Sequence, residues 1–295
     1  MIIRDVGPRD GLQPETPVSV ADRILLVEAL QHAGVRHVEV TAFVSPKAIP
    51  AMAGAAAVMA GITRQPGSTY AALVPNVRGA ELALAAGVDE ITVTISASEE
   101  YSQRNVKMTT AESEVEIATI VERAMGADGN PVPVDAVISC AFGSPYEGDI
   151  APVDVVALAG RLTEVGVSSV TFADTTGMAT PRRIDELVDA MAGEVAGVGL
   201  HLHDTRGIAL TNAYAALERG IARFDTAVGG LGGSPFATGA GGNLATEDLV
   251  ALLDDLGIET GVDLPALIEA SRLIESLVGR PVPSRVAHHG PPRNS

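Results

Sequence analysis

The sequence has few of the features that build secreted, membrane-spanning or nucleic-acid-binding proteins. It contains a single cysteine, Cys140, so an internal disulfide is excluded, and it lacks an early basic segment followed by an apolar run, so we expect a cytosolic protein. Charged residues and Gly interrupt every apolar stretch before it reaches the roughly 20 residues that cross a bilayer. Twenty basic residues face 37 acidic ones, and the net charge of -17 repels a phosphate backbone. We therefore predict neither a membrane nor a nucleic acid partner.

Aromatic residues are also scarce. Trp is absent and aromatic residues make up 3% of the chain, so Ala, Val, Leu and Ile must supply the buried surface. Branched aliphatic side chains suit the layers of a parallel β/α barrel better than a thin sandwich. The 295 residues suffice for eight strand-plus-helix units of about 37 residues each. The composition favours an α/β protein.

One local pattern recurs four times along the chain. A helical stretch ends in Gly, and Val or Ile, two mostly polar positions and a β-branched run follow. Gly tolerates the left-handed conformation that ends a helix, and the β-branched run suits a strand buried on both faces. Each copy therefore predicts a helix-to-strand joint. The copies are AGVRHVEVTAF around Gly34, AGVDEITVTIS around Gly87, VGVSSVTFADT around Gly166 and RGIARFDTAVG around Gly220.

Four further strands complete a set of eight. We predict them at residues 2–6, 70–74, 134–140 and 199–203. Helices fit between the strands: Ser19 and Asp22 predict a capped start for a helix over residues 19–33, and Thr180 followed by Pro181 starts another. We therefore predict a single (β/α)8 TIM barrel over residues 1–280, with a doubly wound open sheet as the alternative. Residues 281–295 are predicted to be a tail that is partly disordered at its end.

Two polar segments stand where barrel strands end and reactive groups are usually found. The seventh strand ends in His201-Leu202-His203, and side chains two apart on a strand share one face, so both imidazoles point inward and indicate a metal site. The first strand runs into a turn that carries Asp10, for which a capped polar turn is the alternative interpretation. Asp10 and Asn243 would add oxygen donors. This mixed set favours Mg²⁺ or Mn²⁺, while Zn²⁺ and Co²⁺ also accept two imidazoles.

A glycine-rich segment, GGLGGSPFATGAGGN at residues 229–243, follows the predicted eighth strand. It lacks the Lys-Ser/Thr of a P-loop, which excludes that phosphate site. Its position favours a loop that closes over a ligand, with a flexible connection as the alternative.

Taken together, the motifs resemble those of the 3-hydroxy-3-methylglutaryl-CoA (HMG-CoA) lyases, which are metal-dependent barrel lyases related to Claisen-type synthases. The resemblance implies that Asp10, His201, His203 and Asn243 bind the metal. The motifs are VGPRDGLQ at 6–13, FVSPK at 43–47, SPYEG at 144–148, HLHDT at 201–205 and GNLATEDLV at 242–250.

The resemblance also implies a reaction and further site residues. The reaction is cleavage of HMG-CoA, or a closely related 3-hydroxyacyl-CoA, to acetyl-CoA and acetoacetate or a homologous 3-oxo acid. Arg9 would stabilise the enolate oxygen and Glu39 would support Arg9. Asp174 would be another active-site carboxylate, and Gln13 would line the pocket. Enzymes of this kind commonly form symmetric homodimers.

Contacts to the CoA phosphates are less defined by the sequence. Lys47, Arg104 and Lys107 lie near predicted loops of an otherwise acidic chain and are candidates, with solvated surface charge as the alternative.

The sequence departs from the family at two positions. Ser234 stands where these lyases carry the cysteine that is the presumed proton donor, and Ala42 stands where Ser is more common. A hydroxyl is a much poorer acid than a thiol. Either activity is slow, or a water or His201 relay replaces the thiol, or the substrate is a related acyl-CoA. Cys140, in a different segment, is interpreted as a structural thiol.

Three alternatives to the lyase stay open. Two are enzymes of the same group, a Claisen-type synthase that joins an acyl-CoA to a 2-oxo acid and an aldolase. The third is a metal-binding barrel whose catalysis is impaired by Ser234.

Overall fold

The computed structural model describes residues 1–126, 131–233 and 241–290. Eight parallel strands in these residues form a closed barrel in sequence order, with β8 pairing back to β1. The strands are β1 (Ile2–Asp5), β2 (His37–Ala42), β3 (Thr69–Leu73), β4 (Glu90–Ser96), β5 (Val134–Ser139), β6 (Ser169–Ala173), β7 (Val198–His201) and β8 (Arg223–Thr226).

Helices connect the strands and form the outer layer of the barrel. Among the described residues, no helix combines the length and the apolar character needed to cross a lipid bilayer. The helices are α1 (Val20–His32), α2 (Ala55–Gly61), α3 (Val77–Ala85), α4 (Glu99–Asn105), α5 (Thr110–Ala124), α6 (Pro152–Glu164), α7 (Pro181–Ala190), α8 (Ala209–Glu218), α9 (Thr246–Asp255), α10 (Leu264–Val278) and α11 (Arg285–His289).

The four glycine joints behave as the sequence predicts. Gly34, Gly87, Gly166 and Gly220 all have positive φ angles, between 73° and 97°, and lead into β2, β4, β6 and β8. At Gly34 a side chain would also clash sterically, because a Cβ atom there would lie 2.4 Å from the Gly261 carbonyl oxygen. The single barrel is confirmed. The alternative of an open sheet is wrong, because β1 and β8 are paired.

The predicted helix starts are also present. The Ser19 hydroxyl accepts a hydrogen bond from the Asp22 amide at 3.1 Å at the start of α1, and Thr180 accepts one from the Arg183 amide at 3.2 Å at the start of α7. The Asp22 carboxylate in turn accepts a hydrogen bond from the Ser19 hydroxyl, whereas in a capping box it would accept one from the Ser19 backbone amide.

The chain continues along the barrel past residue 280. Val282 and Ala287 are buried, and the Ser284 amide donates to the Gly229 carbonyl at 3.0 Å. The Ser284 hydroxyl donates to Asp248 at 2.8 Å. Ser284 thus contacts both the start of the glycine-rich segment and helix α9. Of the predicted tail, residues 291–295 lie outside the described residues.

Buried charges, as well as aliphatic side chains, fill the inside of the barrel. Arg4 on β1 has no exposed surface and contacts Asp225 on the neighbouring β8 and Asp135 on β5. Because β1 and β5 lie on opposite sides of an eight-stranded barrel, this contact crosses the interior. Side chains alternate along a strand, so Asp5 points outward and meets Thr246 of the surrounding helix α9.

Candidate metal centre

Two buried imidazoles form the middle of the candidate site. They belong to His201, the last residue of β7, and His203. The Nε2 atoms of the two rings lie 3.4 Å apart. The Nδ1 atom of His203 donates to the Thr175 carbonyl at 3.2 Å, and that of His201 lies 3.3 Å from an Asp225 carboxylate oxygen. A carbonyl and a carboxylate only accept, so both Nδ1 atoms carry hydrogen in the neutral rings. Both Nε2 lone pairs then face the same space, which suits a shared cation.

Oxygen donors adjoin the imidazoles. The ligand atoms of Asp10, His201 and His203 all lie within 4.8 Å of one another. The Asn243 Nδ2 atom donates to the Asp10 carboxylate and to the Leu231 carbonyl, both at 2.8 Å. Within the described part of the chain, the Asn243 Oδ1 atom is buried without a hydrogen-bond partner. A buried polar atom is normally paired, so this amide oxygen is available to a ligand. Asp10, His201 and His203 therefore fit a divalent cation, and the Asn243 side chain lies beside them, hydrogen-bonded to Asp10.

The electrostatics favour the same interpretation. Burial, together with the neighbouring His201, lowers the pKa of His203 to about 4, so its imidazole is neutral near pH 7. Burial opposes ionisation of Asp10, but Arg9 and His201 hold the pKa of this carboxylate below its ordinary value. A neutral imidazole and an ionised carboxylate are the forms that bind metal ions.

Arg9 is clamped beside these groups. It lies in the single helical turn Gly7–Gly11 that follows β1, between two carboxylates. One guanidinium nitrogen donates to Asp10 at 2.6 Å, and Nε donates to Glu39 on β2. Glu39 has no exposed surface. The structure therefore brings together Arg9 and Glu39, as the resemblance implies, and gives the guanidinium a fixed orientation.

Asp174 is a second buried carboxyl group at the mouth of the barrel. It follows β6, and its amide donates to the His201 carbonyl at 2.8 Å. One carboxylate oxygen accepts from the Ala179 amide at 2.9 Å, while the other is buried with no partner among the described residues. Burial raises the pKa of Asp174 to about 6. The group can therefore exchange a proton near neutral pH.

The remaining predicted residues are less defined. Gln13 is half-buried just after the Arg9 turn, and Lys47 is exposed in the loop after β2. Ser234 lies outside the described residues, which resume at Gly241. Burial raises the pKa of Cys140 to about 12, which makes this thiol unreactive, in agreement with a structural role. Arg104 is exposed and pairs with Glu100 at 2.6 Å.

Comparison with known proteins gives the family. The HMGL-like family model matches residues 1–274. The chain belongs to the HMGL-like family. It is 47% identical over 286 residues to the Pseudomonas aeruginosa 3-hydroxy-3-isohexenylglutaryl-CoA/hydroxy-methylglutaryl-CoA lyase, covering 96% of this chain and 94% of that protein. The human mitochondrial hydroxymethylglutaryl-CoA lyase is 41% identical over 288 residues, with 97% and 88% covered.

Solved structures of HMGL-like proteins agree with the fold. An HMG-CoA lyase from Acinetobacter baumannii in complex with coenzyme A and 3-methylmalate has a TM-score of 0.94 at 40% identity, covering 100% of this chain and 96% of that chain. The hydroxymethylglutaryl-CoA lyase from Pseudomonas aeruginosa has a TM-score of 0.92 at 46% identity, with 97% and 95% covered. The resemblance drawn from the five motifs is confirmed, and the carbon–carbon lyase class agrees with the names of these relatives.

The sequence prediction assigned no role to several buried carboxylates of this HMGL-like chain, among them Asp225, Asp5 and Glu247. Asp225 was interpreted only as part of a strand, in the copy RGIARFDTAVG, although a carboxylate within a buried strand signals a partner. Asp5 and Glu247 form a second cluster. Asp5 accepts from the Gly7 amide at 2.8 Å and the Thr246 hydroxyl at 2.6 Å. Asp5 thus joins the turn that carries Arg9 to the start of α9.

Glu247 holds the start of the glycine-rich segment. It is fully buried on α9 and accepts from the Gly229 amide at 2.9 Å and from the Ser271 hydroxyl. Burial raises the pKa of Glu247 to about 8 and that of Asp5 to about 7. Both carboxyl groups are therefore protonated in the folded protein at mildly acidic pH.

This cluster predicts a pH dependence of stability. An acid whose pKa is raised by folding stabilises the protein below its unfolded pKa, and this contribution is lost as the pH rises through the folded pKa. We expect the free energy of unfolding to fall between about pH 4.5 and 8 and Glu247→Gln to flatten this decline, because Gln keeps both hydrogen bonds without ionising. One pKa unit corresponds to about 1.4 kcal/mol. Urea unfolding across this pH range measures the effect.

Glu122→Gln is the matched control, because it removes the same charge from an exposed position of α5. Parallel stability curves for wild type and Glu247→Gln would contradict the assignment of a buried neutral acid.

Proposed function

We propose that this chain cleaves HMG-CoA, or a closely related 3-hydroxyacyl-CoA, to acetyl-CoA and acetoacetate or a homologous 3-oxo acid. The observation that carries the proposal is the convergence of Asp10, His201 and His203 beside the clamped Arg9 at the mouth of the barrel. The names of the relatives support an acyl-CoA substrate, and one of the solved relatives holds coenzyme A.

The reaction makes two demands on the site. The bond between the tertiary alcohol carbon and the carbon next to the thioester breaks when the hydroxyl proton is removed and the resulting enolate is stabilised. A divalent cation, when bound, lowers the pKa of a coordinated hydroxyl group and polarises oxygen atoms. Arg9, fixed by Glu39 and Asp10, supplies a positive donor for the enolate oxygen. Because the guanidinium is already oriented, no reorganisation is needed as the charge develops.

The protein must also handle protons. Asp174 has one buried carboxylate oxygen without a partner among the described residues, and its pKa of about 6 lets it hold or release a proton near neutrality. We assign Asp174 this proton-handling role. Ser234 occupies the position at which the family carries its thiol.

The metal set that we propose is Asp10, His201, His203 and Asn243. Two carboxylate or amide oxygens with two imidazoles, and positions left for substrate oxygens, favour Mg²⁺ or Mn²⁺. Zn²⁺ and Co²⁺ fit the imidazoles as well. We further propose Gln13 and Lys47 as substrate contacts, a cytosolic location and a symmetric homodimer; light scattering tests the last.

Product analysis tests the function directly. The purified protein is incubated with HMG-CoA and Mg²⁺ or Mn²⁺, and acetoacetate is measured before chelation, after chelation and after return of the metal. We expect product that disappears with the chelator and returns with the metal. Absence of acetoacetate at high enzyme concentration would reject cleavage of HMG-CoA. Bound Mn²⁺ without product would favour the impaired metal-binding barrel.

Ser234→Cys is expected to raise kcat by about 10-fold or more, because a thiol returns a proton near neutral pH far more readily than a hydroxyl, and general acids contribute about 100- to 10,000-fold. Steady-state acetoacetate release measures the change. Ser168→Cys, at the opposite end of the barrel before β6, is the matched thiol control. An unchanged kcat in Ser234→Cys would point to a different proton donor or a different acyl-CoA.

A further inference from the structure

The candidate metal ligand His201 is contacted at its Nδ1 atom by a carboxylate that lies outside the five family motifs. His201 on β7 and Asp225 on β8 are paired residues of neighbouring strands, and the His201 Nδ1 atom lies 3.3 Å from Asp225 Oδ2. Asp225 is buried, with 3% of its surface exposed. A buried carboxylate beside Nδ1 keeps the hydrogen on that nitrogen and fixes the plane of the ring.

Asp225 is itself fixed by a fully buried arginine. Arg4 donates from Nε to Asp225 Oδ1 and from Nη2 to Oδ2, both at 2.7 Å. Two parallel bonds from a planar guanidinium define the position and the orientation of a carboxylate. Arg4 also contacts Asp135, whose Oδ2 atom lies 2.8 Å from Arg4 Nη1. The orientation of His201 is thus set by a chain of contacts that starts on the far side of the barrel.

The imidazoles of His201 and His203 are oriented by different kinds of hydrogen-bond partner. His203 donates to a backbone carbonyl, that of Thr175, which no side-chain substitution removes. Asp135 accepts from Arg223 and from the Ser169 hydroxyl in addition to its contact with Arg4, at 2.9 and 2.7 Å. The partners that the hydrogen-bond geometry gives to Asp225 are Arg4 and His201. A change at Asp225 therefore acts directly on His201 and Arg4, while Asp135 keeps its contacts with Arg223 and Ser169.

We propose that Arg4 and Asp225 are a positioning pair for the metal centre: they hold His201 in the Nδ1–H tautomer so that its Nε2 lone pair faces Asp10 and His203. This inference rests on the metal centre of the proposed function and adds two residues to it. Groups that orient a metal-binding histidine typically change metal affinity by about 10- to 100-fold when they are replaced.

The test measures metal binding without substrate. Mn²⁺ is titrated into the metal-free full-length protein, and free Mn²⁺ is followed by electron paramagnetic resonance. We expect Asp225→Asn to bind Mn²⁺ about 10- to 100-fold more weakly than wild type, because Asn has no charge and offers one acceptor where Arg4 meets two. Glu90→Gln is the matched control. It removes another carboxylate that lies 3.1 Å from Arg4 Nη1 but does not contact His201. The Mn²⁺ affinity is therefore expected to stay within about twofold of wild type.

A spectroscopic readout separates positioning from general damage. The ¹⁵N NMR signals of the six histidines are recorded in metal-free protein, with the His201 signals assigned by their loss in His201→Asn. At alkaline pH we expect the wild-type ring to carry its proton on Nδ1 and the ring in Asp225→Ala to shift toward the other tautomer. An unchanged tautomer in Asp225→Ala together with unchanged Mn²⁺ affinity in Asp225→Asn would overturn the proposal.

Arg4→Lys provides a second route if the Asp225 variants do not fold. It keeps the positive charge and loses the two-pronged contact, so weaker Mn²⁺ binding is expected and equal binding would overturn the inference. A wild-type protein that binds no Mn²⁺ would overturn the metal centre and this inference together. Tight Mn²⁺ binding that depends on Asp225, without any acetoacetate from HMG-CoA, would reject the proposed function and leave the positioning pair standing.

Discussion

Arg9→Met is expected to lower kcat for acetoacetate release by about 100- to 1,000-fold, the usual effect of removing one fixed donor from an oxyanion site. Methionine fills part of the volume but offers no positive donor for the developing enolate, and it leaves Glu39 buried without its partner. We expect KM to change much less than kcat, because the lost interaction strengthens only as the charge develops. Steady-state kinetics with HMG-CoA measures both constants.

A second measurement separates Arg9 from the metal centre. Arg9 contacts Asp10 at 2.6 Å, so its loss could act through the metal ligand rather than on the enolate. Mn²⁺ affinity in Arg9→Met is therefore measured beside kcat, and a loss of affinity as large as the loss of kcat would contradict the proposed role. Arg9→Lys, which keeps the charge but not the planar contacts, should fall between wild type and Arg9→Met. Arg78→Met on the exposed side of α3 is the control.

The strands could be predicted from the sequence because the signal for each one is local. Around Gly34 or Gly220, a glycine with positive φ and the β-branched run after it lie within one short segment, so no distant contact is needed to recognise the joint. Closure of the barrel has no such signal. It depends on the pairing of Ile2 with Arg223, which are far apart in the chain. The pattern of eight alternating strands and helices favours a barrel but is also compatible with an open sheet.

The site residues likewise divide into those with a local sequence signal and those that depend on distant contacts. The spacing of His201 and His203 predicts two imidazoles on one side, and their Nε2 atoms do converge. Asp10, in the turn after the first strand, and Asn243 are added as candidate oxygen donors, and the resemblance to a family implies the same four ligands. The role of Asp225 could not be predicted from the sequence, because its partner Arg4 lies 221 residues away and a single carboxylate in a strand has no periodic pattern. Buried ion pairs become visible only once the strands are placed side by side.

The buried ionic cluster is better explained by geometry than by stability. Removing charges from water costs several kcal/mol per ion, and a buried ion pair often adds little net stability compared with apolar residues of similar size. In this barrel the cluster of Arg4, Asp135 and Asp225 ends at His201, whose Nδ1 atom lies 3.3 Å from Asp225. An arrangement that costs desolvation energy and ends on a candidate ligand is consistent with selection for orientation.

His203→Ala is expected to weaken Mn²⁺ binding by at least about 100-fold and to reduce acetoacetate formation to the background rate. The substitution removes one of two nitrogen donors from a buried site. The pKa of about 4 shows that this imidazole is neutral near pH 7 and free to bind metal without first losing a proton. Mn²⁺ titration and product analysis on the same protein preparation measure the two effects.

The control for this variant is His32→Ala, which removes an imidazole from an exposed position at the end of α1. If His203→Ala keeps wild-type Mn²⁺ affinity, the converging Nε2 atoms do not share a cation, and the acid–base chemistry must be assigned without one. If it loses the metal but still releases acetoacetate, the metal is structural and Arg9 carries the stabilisation of the enolate alone. Loss of both, with circular dichroism unchanged, is the outcome that links the two imidazoles to the cleavage step.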